Sequence, residues 1–132
     1  MTEEKDYIMR MIAEFMRVIS RALFLKETKQ YYDAIAELDN LNRMISGFSL
    51  DQMKTLGIEG FKYVYNLDKE SDIEKIFCAA KILKEEGLIL KEEGRTEDGS
   101  KSMELSLQLF EMIKDTKYKD NKEVLEEINN LK

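Results

Sequence analysis

Residues 71–94 read SDIEKIFCAAKILKEEGLILKEEG, and the spacing of their apolar side chains decides the fold class. Ile73, Ile76, Ala80, Leu83, Gly87 and Leu90 recur at three- or four-residue steps, the interval that brings side chains onto one face of an α-helix. Ser71 or Asp72 is the expected start, because a short polar side chain satisfies the orphan amides of a first turn. Gly94 is the expected stop. The polar stretch Arg95–Lys101 contains Asp98-Gly99 and reads as a loop. After it, Ser100 or Ser102 opens a second helix with Leu105, Leu109, Met112 and Ile113 inward.

The same period extends in both directions from this pair. Over about residues 4–26, Ile8, Ile12, Phe15, Ile19 and Leu23 form a stripe, with Met9, Met16 and Leu25 beside it and Arg10, Glu14, Arg17 and Arg21 on the opposite edge. So wide an apolar surface predicts the central helix of the core. Thr28 is the expected cap of the next helix, whose stripe is Tyr31, Ile35, Leu38, Leu41 and Ile45 and whose stop is Gly47. Ser49 caps a short piece with Leu50, Met53 and Leu56 that ends at Gly57. A further piece, with Ile58, Phe61, Val64 and Tyr65, reaches Asn66, and the segment Leu50–Asn66 reads equally as two helices or one broken helix. Asp115–Asn121 forms a turn before a last helix, Lys122–Leu131. Nowhere does strand-like alternation persist, and the chain has no proline to interrupt a helix.

The expectation is therefore one all-α domain over 1–132. It comprises a hairpin at about 4–47, short connecting helices at about 49–67, a hairpin at about 71–115 and a capping helix at about 121–131. Neither hairpin buries its oily face alone, so the two stack.

Composition narrows the chemistry. The 132 residues carry 21 Lys and Arg against 27 Asp and Glu, a net charge of −6, with 43% hydrophobic residues to fill a core. Histidine is absent, which removes imidazole catalysis, zinc and haem ligation by His, and the Glu-x-x-His di-iron site. Cys78 is the only cysteine, has no disulfide partner and sits between apolar neighbours, so it is expected to be buried and inert. Glu3, Glu4 and Asp6 lack a calcium-loop pattern, and Gly94 and Gly99 follow no strand that would make a phosphate loop. No catalytic residue, cofactor or metal is expected. The acidic balance argues against nucleic acid. The acidic start and the lack of a long apolar run argue against a secretory signal or a membrane span, so the expected location is cytoplasmic. An amphipathic first helix lying on a membrane competes with the need of the core for the same face.

The segment also echoes itself. Ala22 precedes Ala34 by twelve residues, and Gly87 precedes Ser102 by fifteen; small residues at such places let two antiparallel helices approach closely. In its order of alanine, leucine, glycine, polar turn and second amphipathic helix, Ala80–Gly94 with Ser102–Phe110 resembles a tetratricopeptide repeat. Ile19–Leu41 resembles a divergent copy. The family's large aromatic early in the first helix and its closing proline have no counterpart here. The chain as a whole also resembles small bacterial helical proteins of unassigned function, which implies a fold and no activity.

The resemblance implies a concave surface, lined by first helices, that holds a peptide. Its matching positions are Lys81, Lys84, Leu88 and Lys91, whose lysines read as a basic ridge for an acidic peptide tail. The competing reading is a solvated face on which Glu85, Glu86, Glu92 and Glu93 supply i,i+4 partners. Phe61, Tyr63 and Tyr65 are further contact candidates, since a short irregular piece cannot turn all three inward and an exposed aromatic binds at little entropic cost. The methionines are read mainly as core filler, and the Arg10, Arg17, Arg21 stripe as a structural edge balanced by Glu14. The function expected is a non-enzymatic protein–protein interaction module whose partner is another protein or a second copy in a homodimer. The alternative is a small-ligand binder or enzyme that uses carboxylates and Tyr hydroxyls in an interhelical pocket.

Overall fold

The computed structural model describes residues 2–132, with side chains from Glu3 onward; Met1 lies outside it. It is all-helical: α1 (Thr2–Glu27), α2 (Tyr31–Ser46), α3 (Leu50–Val64), α4 (Glu70–Glu92), α5 (Thr96–Ile113) and α6 (Lys122–Leu131), with no strand among the described residues. Helix α1 packs on α2, α2 on α4, and α4 most extensively on α5. Helix α3 bridges α2 and α5, α6 closes against α5, and α1 also touches α4. One apolar cluster runs through all six helices, from Met11 to Ile128.

Helix α4, not α1, is the centre. Ile73, Ile76, Cys78, Ala79, Ala80, Ile82, Leu83, Ile89 and Leu90 are all buried, and they encircle the axis instead of forming one stripe. Helix α1 buries a narrower row, Ile8, Met11, Phe15, Val18, Ala22 and Leu25. The expected stripe was rotated from this one: Ile12, Ile19 and Leu23 are half-buried on its flank, while Met9 and Met16 face solvent. An apolar arc wider than one contact face left the register open, and contact with α2 fixed it.

Glycine sets one boundary, one kink and one crossing. Gly47 ends α2 at φ 84°, and Ser49 caps α3 in a reciprocal box with Gln52. Gly57, at φ 65° and ψ 179°, breaks α3, so the middle segment is one element with a kink. The main correction concerns Arg95–Lys101. Helix α5 begins at Thr96, and Gly99 sits inside it against Gly87 of α4. A Cβ on Gly99 would lie 2.7 Å from the Gly87 carbonyl oxygen, so Asp98-Gly99 marks a close helix crossing rather than a turn. The spacing of the small residues in this pair is therefore twelve, as between Ala22 and Ala34, not the fifteen counted to Ser102.

Three expected caps differ for related reasons. Thr28 donates back to the carbonyls of Phe24 and Leu25, closing α1 instead of opening α2. Asp72 lies within α4 and accepts from the Asn66 amide. Ser102 is fully buried in α5 and donates to Glu86 at 2.7 Å.

Candidate functional site

The expected basic ridge does not stand free. Lys81 pairs with Glu123 at 3.0 Å and Glu127 at 3.4 Å, and Lys84 pairs with Glu127 at 2.5 Å. Burial alone would lower the Lys81 ammonium, but the two carboxylates outweigh it and hold it above its ordinary value. The amphipathic α6 packs on α5, and from there its Glu123 and buried Glu127 reach the α4 lysines and take up charge that the sequence reading left for a partner. Leu88 is half-buried, and Lys91 is exposed with its aliphatic stem over Gly99. The four positions form no common open surface.

The aromatic candidates separate as well. Phe61 is fully buried with its ring 5.5 Å from that of Tyr65, and Tyr65 is half-buried, its phenol pushed up to about 12 by burial and by Asp72. Tyr63 alone projects, at 92% exposure. One of the three does face water, as geometry demanded, but it stands apart from the others.

A different surface lies between α1 and α4. A groove of about 400 Å³ runs between these helices and the turn before α6. Ile12, Phe15, Met16 and Ile19 form the α1 wall, and Phe77 forms much of the other. The wall exists because the half-buried flank of α1 has no helix laid over it: Met16 is 63% exposed and Met9, about two turns away, 60%. The Phe77 ring is fixed by stacking on Tyr118, at 4.9 Å and nearly parallel, and by an edge contact with Phe110 at 6.1 Å.

Polar groups also line the groove: Glu74, Lys81, Tyr118 and Glu123. Glu74 is 2% exposed and accepts from the Tyr118 hydroxyl at 2.8 Å and from Lys117, both on Oε1. Lys117 also reaches Glu70 at 3.2 Å. Burial opposes its charge, but Glu74 and Glu70 hold its ammonium above the ordinary value. The Tyr118 phenol is raised by burial first and by Glu74 second. Cys78, also on the groove lining, has its thiol pushed up to about 12 by burial, with Glu74 adding to it. Both hydroxyl and thiol therefore stay protonated at neutral pH, a poor arrangement for a nucleophile or a base.

A third buried carboxylate, Glu86, lies away from this groove. It accepts from Lys54 at 3.1 Å and from Ser102, and ties α3 to the α4–α5 pair. Among the described residues no cluster of three or more Cys, Asp or Glu side chains is arranged to hold a metal ion. No described helix is long and apolar enough to cross a membrane.

Sequence reasoning missed the groove because its parts came from three readings. Ile12 and Ile19 were assigned to the core, Met16 to filler, and Tyr118 to a featureless turn. The usable signal was the surplus width of the α1 apolar arc, more than one neighbouring helix covers. No protein family matches this chain, and no characterised protein or solved structure shows significant similarity to it.

Proposed function

We propose that this chain is a non-enzymatic, tetratricopeptide-like interaction module that holds an apolar segment of a partner protein between α1 and α4. The carrying observation is the open apolar groove between those two helices, with Met16 exposed on its wall. In the tetratricopeptide layout α1 and α4 are the first helices of successive pairs, and the twelve-residue spacing of small residues in both pairs supports that assignment. Flexible, polarizable methionines suit a surface that adapts to side chains of different shape. A partner helix would place anchors at i, i+3 or i+4, and i+7 into such a groove. The protonated Cys78 and Tyr118 favour binding over catalysis at this place.

Display selection of amphipathic helical peptides on the whole chain tests this reading, with Met16→Glu as the counter-screen. Met16 is exposed, so the charge leaves folding intact while spoiling the wall. Enriched peptides with periodic apolar anchors that lose binding to the variant are expected. No enrichment, or binding indifferent to Met16→Glu, overturns the proposal. Light scattering that gives a dimer dispersed by the same substitution would make the partner a second copy.

A further inference from the structure

A buried charge lines the groove beside its apolar walls. Glu74 is buried to 98% yet lines the groove, and both of its polar contacts, with Tyr118 and Lys117, fall on the same oxygen. A carboxylate accepts through both oxygens, about four lone pairs in all. The resident cation also has a second carboxylate within reach. The Lys117 side chain is 39% exposed and has Glu70 as a second carboxylate, so it can leave Glu74 without losing a counter-charge.

Charge around the groove points the same way. Two separate ion-pair networks border the groove: Lys81 and Lys84 balance Glu123 and Glu127, whereas Lys117 alone faces Glu70 and Glu74, which leaves one negative charge in excess beside Glu74. The chain as a whole carries −6. Lys81, the cation on the groove lining, is held by two carboxylates of α6 and is not available to an acidic ligand.

We infer that the segment bound in this groove carries a Lys or Arg among its apolar anchors, and that its cationic head displaces Lys117 and docks on Glu74. The inference rests on the reading of the groove as a peptide site and adds the chemistry that would select the peptide. The apolar body lies against Ile12, Phe15, Met16 and Phe77, and the head reaches the buried carboxylate beside the Tyr118 hydroxyl. An acidic tail, the partner implied by the expected lysine ridge, is the wrong sign for this site.

The same selected peptides test it. On wild-type chain, Lys or Arg should be enriched at one fixed position relative to the apolar anchors, and that preference should vanish on Glu74→Gln. Replacing the basic residue of a selected peptide by norleucine, or Glu74 by Gln, should weaken binding about tenfold, the scale of one charge-assisted hydrogen bond. Lys117→Met supplies a readout that a merely structural ion pair would not move: with the competitor gone, the basic peptide should bind several-fold more tightly. Circular dichroism confirms that each variant is folded. If Glu74→Gln does not fold, the Lys117→Met comparison decides alone. Apolar peptides enriched without a basic position, or Lys117→Met binding no tighter, sink this inference and leave the groove reading standing. No enrichment of any kind removes both.

Discussion

Gly99→Ala sets two opposed effects against each other at the crossing of α4 and α5. Inside a helix, Ala is favoured over Gly by about 1 kcal/mol, so propensity alone predicts stabilisation. The added methyl, however, would sit 2.7 Å from the Gly87 carbonyl oxygen and 2.8 Å from Cγ of Lys91. The Lys91 stem can swing aside; the carbonyl belongs to the backbone of the most buried helix, and relief requires the two helices to part by several tenths of an ångström. Overpacking of this kind costs about 1–3 kcal/mol. Because the separation spreads along the whole contact, the upper part of that range applies, and a net loss of about 1–2 kcal/mol remains. With an unfolding entropy of roughly 2.1 cal/mol/K per residue, 132 residues convert this into a fall in Tm of about 4–7 °C. Thermal melting followed by circular dichroism reads it, with Ser100→Ala as the control. That neighbour is exposed in the same turn, so only the propensity gain of a few tenths of a kcal/mol should appear. A Gly99→Ala protein that melts at or above the wild-type temperature would show that the helices do not touch backbone to backbone there.

Glu127→Gln should cost about 1–3 kcal/mol, because it leaves Lys81 and Lys84, each about a fifth exposed, without their shared partner. Hydrogen exchange should show α6 amides opening before those of α4; uniform acceleration across all helices would contradict the local role. The Cys78 thiol and the Tyr65 phenol each hold a proton more tightly folded than unfolded, with ordinary values of 9.0 and 10.0 raised to about 12 in both cases. Their contribution is thus fully present below pH 9 and is lost as pH rises from 9 toward 12, by up to about 1.4 kcal/mol per group per pH unit. Melting temperature against pH should bend downward above pH 9, and Cys78→Ser should remove the part of the fall that begins first; a profile unchanged by Cys78→Ser would refute the burial argument. At pH 8 the folded chain should resist a thiol-specific disulfide reagent that reacts promptly once denaturant is added.

The fold class was legible because it depends on period alone. Ile73, Ile76, Ala80 and Leu83 repeat at helical intervals whatever they touch, and Gly47 and Gly94 stop helices through their own backbone freedom, at φ 84° and 87°. What was not legible depends on neighbours. Gly99 carries the same letter whether it turns the chain or admits another backbone, and only the presence of Gly87 opposite decides. The lysines of α4 looked like a surface because α6 reads as an independent amphipathic helix; that Glu123 and Glu127 reach Lys81 and Lys84 across more than forty residues of sequence follows from packing. The groove is the extreme case, since it is defined by the side of α1 that no helix covers. Surplus apolar width was visible in the sequence, but the side left bare was not.

The openness of that groove in solution is the quantity on which the functional account turns. Methyl-labelled methionine spectra recorded with a soluble nitroxide measure it directly, because paramagnetic broadening follows exposure residue by residue. Met9, Met16 and Met44, all more than half exposed, should broaden strongly at low protein concentration, while Met11 and Met53, both buried, should stay sharp. A Met16 signal as protected as that of Met53 in the isolated monomer would mean that the chain closes its own groove, and the account of a bound partner segment would be wrong.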